Sequence, residues 1–242
     1  MASFRIPRLP GSDVVVRLAA SEEEIEQANR LVFRNYVADG FWENDETILR
    51  TNKFLHSPAR TPVVVLEDGQ LVGTMSIIED SPIGLPSDST QGPLLRRLRS
   101  TSRRIAEVSA FAMNRSRCSH RKLVLFLMSY VLQYSFYYAG LDRLVASCKP
   151  EHATFYESVL CFSKVSDLTY YDYSHACGYL ITLHLLEAHH LLWQKYPPDP
   201  VTGESLYPFL MCDPQPCHRF PAARLSRART TNWLAHSMPK VA

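Results

Sequence analysis

The chain has 242 residues, 46% of them hydrophobic and 21% charged, a balance that suits a globular protein with a sizeable core and excludes whole-chain disorder. Twenty-six Lys plus Arg against 24 Asp plus Glu leave a net charge of only +2, which excludes a generally basic nucleic-acid or membrane-surface protein. The total is unevenly spread: residues 96–122 hold nine Lys or Arg against one acid, Glu107, and seven of the 16 prolines fall between Pro197 and Pro221.

Residues 1–13 read as an N-terminal extension without an apolar leader, so a cytoplasmic protein is the simplest expectation. Residues 14–19 read as a strand. Ser21 and Glu24 form a capping box at the start of a helix whose stripe is Ile25, Ala28, Val32 and Asn35/Tyr36, ending near Gly40. Residues 62–67 and 70–79 are β-rich and joined by Asp68-Gly69, a two-residue hairpin signal. The stretch 81–93 collects Pro82, Gly84, Pro86, Gly92 and Pro93 and reads as a long irregular loop.

A strand at 104–113, a basic loop at 114–120 and an apolar helix ending at Gly140 come next. The 17-residue run 123–139 is shorter than the ~20 residues a membrane span needs and carries Ser129, Gln133 and Ser135, so it predicts a buried helix and no integral membrane span. A strand at 143–149, a short helix at 151–161, strands at 163–171 and 178–185 and a helix at 186–195 complete the pattern. The order predicts an α/β protein with a mixed sheet covered by helices. Residues 14–196 form the predicted domain, and 197–242 read as an extended, Pro-rich and basic tail. The six cysteines have no CxxC spacing and read as free thiols. Cys212, Cys217 and His218 are too loose a set to predict a metal site, and the single Glu-x-x-His at Glu187–His190 lacks the second motif a di-iron bundle requires.

Two segments carry candidate chemistry. In the strand at 104–113, alternation puts Glu107, Ser109 and Phe111 on one face and Ala106, Val108 and Ala110 on the other. A carboxylate inside an apolar strand is costly to bury unless it is partnered or working, and burial moves its pKa toward neutrality, where it serves as a base. The competing expectation is a structural Glu–Arg ion pair. The second segment, Lys149-Pro150-Glu151-His152-Ala153-Thr154-Phe155-Tyr156, opens a helix directly after a strand, at the end where α/β proteins tend to bind ligands. His152 and Tyr156 are four residues apart and predict a shared face, the phenol placed to protonate a departing thiolate; the alternative is a core tyrosine and a capping histidine.

Segments 30–42 (RLVFRNYVADGFW), 73–88 (GTMSIIEDSPIGLPSD), 103–113 (RRIAEVSAFAM) and 149–156 (KPEHATFY) resemble N-acyl amino acid synthases of the N-acyl tyrosine synthase type. These are GNAT-fold acyltransferases related to acyl-homoserine-lactone synthases. The resemblance spans about residues 14–185 and implies a GNAT-like fold, a central mixed, largely antiparallel sheet flanked by helices on both faces. It implies transfer of a long fatty acyl group from an acyl carrier protein thioester to the α-amine of an amino acid. Glu107 would help deprotonate the amine, Tyr156 would be the general acid, Ser109 would join them as a catalytic candidate, and a mid-strand amide of 104–113 would stabilise the oxyanion. Arg34, Trp42, Phe33, Phe111 and His152 are the candidate substrate contacts. Three positions depart from the pattern: Ala110 where Arg or Leu is common, Glu151 where a base is common, and Cys161 where the helix usually carries Gly.

The resemblance implies an acyl-phosphopantetheine thioester donor, on carrier protein or coenzyme A, with no permanently bound cofactor expected. Coenzyme-A-dependent relatives cradle pyrophosphate in a Gly-rich loop, whereas residues 114–120 contain no glycine and supply cations instead. Arg96, Arg97, Arg99, Arg115, Arg117, Arg121 and Lys122 therefore form the predicted docking patch for an acidic carrier. Residues 96–104 have no aromatics interleaved with the cations, so no nucleic-acid partner is expected. Competing expectations are a coenzyme-A-dependent N-acetyltransferase, a homoserine-lactone synthase requiring S-adenosylmethionine, and a non-catalytic carrier- or acyl-binding protein.

Overall fold

A computed structural model describes residues 13–116, 120–213 and 215–222, with backbone alone for 120–122 and 173. The elements are β1 (Val14–Leu18), α1 (Glu22–Ala38), α2 (Ile48–Thr51), β2 (Arg60–Glu67), β3 (Gln70–Glu79), α3 (Asp88–Thr101), β4 (Ile105–Met113) and α4 (His120–Gln133). After α4 and a π-helical turn (Tyr134–Tyr138) come β5 (Arg143–Cys148), α5 (Pro150–Leu160), β6 (Ser163–Lys164), β7 (Thr169–Tyr171), β8 (Ala176–His184) and α6 (Leu185–Lys195). A second π-helical turn (Pro208–Cys212) leads to β9 (His218–Arg219).

The strands lie in the order β6-β8-β5-β4-β3-β2-β1-β9, with β7 on β8. The β4/β5 and β1/β9 pairs are parallel and the others antiparallel. This is the expected mixed, largely antiparallel sheet. Val63, Val64 and Val65 in β2 are all buried, as a strand covered on both faces demands. Helices α1 and α3 pack on one face. On the other face α4, α5 and α6 share the larger core.

Local sequence accounts for most boundaries. Ser21 Oγ accepts the Glu24 amide, while the Glu24 carboxylate takes the Ala20 amide and a bidentate Arg17 guanidinium. Asp68 (φ 51°) and Gly69 (φ 74°) make the tight turn between β2 and β3.

Three expectations are corrected. The loop foreseen at 81–93 ends at Ser87, where α3 begins. Pro93 is accommodated because the helix is broken at Gln91 (φ −117°, ψ 23°), so its missing N–H falls near a fresh start. The single strand foreseen at 163–171 is two short ones, β6 and β7.

The third correction concerns the tail. Part of it is core: Leu206, Tyr207, Phe209, Leu210, Met211 and Cys217 are each at most 2% exposed. The polar groups that marked 123–139 as non-membrane hold this segment: Ser129 Oγ and Gln133 Nε2 both donate to the Phe209 carbonyl. Val16 N–H donates to Cys217 O, extending the sheet to β9. Among the described residues no helix is long and apolar enough to cross a membrane.

Candidate functional site

Strands β4 and β5 pair only from Ile105↔Arg143 to Glu107↔Val145 and then diverge. A bulge marks the divergence. Ser109 still opposes Ser76, but Ala112 opposes Thr74, so Ala110 and Phe111 together face Met75. Ala110 takes the bulge with φ 51°, a conformation that costs an alanine about 1–2 kcal/mol. The extra residue breaks the alternation read from the sequence. Ala112, not Phe111, continues the Glu107/Ser109 face, and Ala110 packs with Ala112 against Leu31 and Val32 of α1.

The opening holds a cleft of ≈ 110 Å³. Ser109, Phe111, Tyr36, Lys149, Tyr156 and Cys148 are among its lining residues. Phe111 is 37% exposed there, an apolar wall open to solvent. Gly178 of β8 completes the floor, where a Cβ would come within 2.8 Å of the Cys148 carbonyl, so the strands close only on a glycine.

Glu107, two residues before the lining Ser109 on β4, is outside the cleft's lining and at 0% exposure. Ser87, the N-cap of α3, donates both its backbone N–H (2.9 Å) and its hydroxyl (2.7 Å) to the two carboxylate oxygens. Burial pushes the carboxyl up to about 7 against the pull of these bonds; nearby Asp88 pushes it the same way and Arg99 the other. The expected alternative, a Glu–Arg ion pair, is not what forms. Arg99 instead donates to Asp80 and Asp88.

Tyr156 stands on the last turns of α5. The helix closes on its carbonyl, which accepts from both Cys161 and Phe162 N–H, with Cys161 in the left-handed region (φ 59°). That is the conformation of a C-terminal glycine, so the family's Gly position is filled here by a strained cysteine. Burial raises the Tyr156 phenol to about 12, with the Cys148 thiol adding to the rise. Tyr36 enters the cleft from α1, its pKa raised by burial and then by the Tyr156 and Glu107 charges. The Ala110 amide donates to the Tyr36 phenol, which removes that amide from the set free to hold an oxyanion.

The other foreseen contacts are dispersed. His152 is exposed on the first turn of α5 and lines no part of the cleft; Lys149, just before the helix, does, its ammonium 4.3 Å from the centre of the Phe41 ring. Arg34 is exposed. Phe33 is buried and packs against Trp42, and Trp42 against Tyr36, but neither Phe33 nor Trp42 is a lining residue of the cleft.

Acids from elsewhere answer two residues of the docking patch: Arg99 is bridged to Asp80 and Asp88 and Arg115 to Asp39, as is neighbouring Arg104 to Glu79, each at 2.6 Å. Arg96 and Arg97 are exposed on α3. Arg117 and the side chains of Arg121 and Lys122 lie outside the described residues.

Sequence reading missed Ser87, Tyr36 and Lys149. Ser87 sat in an apparent Pro/Gly loop, and only its position just ahead of Asp88 hinted at a helix cap. Tyr36 read as part of a helix stripe. Lys149 was visible only as the residue preceding a helix-opening proline.

A sheet splayed at its parallel pair, a bulge at the divergence and a tyrosine from the following helix define a GNAT-type N-acyltransferase. The profile of the family described as N-acyl amino acid synthase FeeM matches residues 27–184. The solved structure of FeeM, an N-acyl amino acid synthase from uncultured soil microbes, is 30% identical, with a TM-score of 0.66 over 76% of this chain and 97% of that one. The chain belongs to the FeeM family of N-acyl amino acid synthases. Spermidine N-acetyltransferase from Vibrio cholerae, solved with CoA and spermine, is 17% identical (TM-score 0.47, 73% of this chain and 98% of that chain). An acyl-CoA N-acyltransferase from Pseudomonas aeruginosa is 12% identical (TM-score 0.48, 71% and 99%). No curated protein matches the sequence.

Proposed function

We propose that this enzyme moves a long-chain fatty acyl group from the phosphopantetheine thioester of an acyl carrier protein to the α-amine of a free amino acid. The observation that carries the reading is the buried Glu107 carboxyl, raised to about 7 and set two residues before Ser109 on β4, in a strand whose next residues wall a cleft with Phe111 and Tyr156. The amine nitrogen attacks the thioester carbonyl, the C–N bond forms, and the C–S bond then breaks. The amine proton leaves toward Glu107. Because that carboxylate is not among the cleft's lining residues, the proton travels by a hydroxyl relay, for which the cleft offers the phenols of Tyr36 and Tyr171, both within electrostatic reach of Glu107. Tyr156 at about 12 is a weaker acid than a thiol at ~8.5. It therefore stabilises the departing thiolate as a hydrogen-bond donor and keeps its own proton; the thiolate takes its proton from the amine by way of the Glu107 relay.

Two features support the carrier donor: the glycine-free 114–120 segment and the exposed pair Arg96 and Arg97. Lys149 at the cleft wall suits the arm's single phosphate. The test is to supply purified protein with a long-chain acyl thioester on carrier protein or on coenzyme A, with a panel of amino acids, and detect product by mass spectrometry. N-acyl amino acid forming faster from the carrier, with Arg96→Glu/Arg97→Glu raising KM for the carrier, is the expected result. Equal use of both donors sinks the carrier assignment. Turnover of acetyl-CoA with polyamines or proteins alone sinks the synthase reading.

A further inference from the structure

Between α1, the 45–57 segment and β2 lies a second cavity of ≈ 760 Å³. Its wall includes Arg60, whose residue is only 7% exposed. The Arg60 guanidinium donates Nε to Ser76 Oγ (2.8 Å) and Nη1 to the Leu55 carbonyl (2.8 Å). Its Nη2 is buried without a hydrogen-bond partner, and no carboxylate of the described residues pairs with it. A buried guanidinium with a vacant donor nitrogen is costly unless something anionic completes it. Burial has already lowered its pKa to about 10.

The neighbours indicate which anion. Arg60 opposes Ile78 across β2/β3, and Ile78 opposes Glu107 across β3/β4, so Arg60 and Glu107 share a face about 10 Å apart. Ser76, which holds Arg60, opposes Ser109, a lining residue of the cleft. The Tyr36 phenol feels both Arg60 and Glu107. The cavity is too polar for an acyl chain: Asn29 in the same wall also has a buried, unpartnered Oδ1. Once Arg30 is paired with Glu26, the acids Glu22, Asp45 and Glu46 outnumber Arg50 among the lining residues. An acidic approach to a buried cation suits a zwitterion better than a simple anion.

We infer that this cavity is the acceptor site and that Arg60 receives the α-carboxylate of the amino acid, presenting its amine toward Tyr36 and Glu107. Ser76 and the Leu55 carbonyl hold the guanidinium in place, and the unpartnered Nη2 donates to the carboxylate, so one residue fixes both the charge and the position of the acceptor. The inference rests on the amino-acid acceptor proposed above and assigns the residue that recognises it.

The test compares the amino acid that the wild-type enzyme acylates fastest with its amine analogue lacking the carboxyl group. Wild type should favour the amino acid by at least about tenfold in kcat/KM, the scale of one charge-assisted hydrogen bond. Arg60→Gln should raise KM for the amino acid by a similar factor and collapse the preference toward unity. Arg60→Lys, which keeps the charge and loses the Nη2 donor with its fixed direction, should recover only part of it. Should neither variant fold, Ser76→Ala, which frees Nε, should weaken the preference, and an unchanged preference there overturns the assignment. Arg60→Gln retaining the full preference overturns it as well. If wild type acylates no amino acid at all, the proposed function fails instead.

Discussion

Glu107 and Ser87 are 20 residues apart, and their two hydrogen bonds decide how the carboxylate behaves. A buried carboxyl at about 7 is half ionised at neutral pH, so the basic form needed to accept the amine proton grows as pH rises. The kcat/KM profile should therefore climb to a plateau above an apparent pKa near 7. Glu107→Gln should remove that limb and cut turnover by about 10²–10⁴. An unaltered pH profile in the variant, followed by product formation, would take Glu107 out of the reaction. Glu107 was legible in the sequence because a lone acid stands out in an apolar strand. Its partner was not: nothing local says that a serine in a Gly/Pro-rich stretch caps a helix aimed at that acid.

At the scale of elements, two departures from the family pattern both sit where the backbone is left-handed. Ala110 makes the β4 bulge and Cys161 ends α5. Cys161 tests whether the site tolerates this strain for packing or despite it. Cys161→Gly should leave stability within about 1 kcal/mol, because relief of strain offsets lost burial. Cys161→Val, β-branched at positive φ, should cost about 2 kcal/mol or more in denaturant unfolding. The reverse order would mean that side-chain packing dominates. Most elements were readable from period and caps: the Ser21/Glu24 box, the Asp68-Gly69 hairpin and the apolar α4 all form as read. The bulge was not, because strand alternation assumes an uninterrupted ladder, and neither was α3, because proline reads as a stop until a kink makes room for it.

At the scale of the molecule, charge and burial redistribute what composition suggested. The +8 surplus of residues 96–122 loses Arg99, Arg104 and Arg115 to acids on β3, the loop after it, α3 and the end of α1. Burial of neutral His189 and His218 lowers both to about 4, so both lose stability for the fold as pH falls from 6.5 toward 4. Glu107 acts oppositely, its raised pKa costing stability as pH rises from 4.5 through 7. Each is worth on the order of 3 kcal/mol, so two histidines outweigh one glutamate and acid should destabilise the protein. Thermal melts should show Tm falling between pH 7 and pH 4, and falling more steeply in Glu107→Gln, where the offset is gone. A variant whose melts parallel wild type across that range would show that Glu107 titrates normally.

The sequence by itself determined the α/β class, the order of most elements, the reaction class and the strand that bears Glu107. These rest on period, caps and short motifs, which operate over a few residues. Only the tertiary structure decided that Ser87 holds Glu107, that Lys149 rather than His152 reaches the cleft, that Leu206 to Met211 and Cys217 of the expected tail enter the core and that Arg60 is buried without an acid. Each of these depends on which distant groups are desolvated together. Burial and pairing are properties of surfaces brought into contact, and a linear pattern does not carry them.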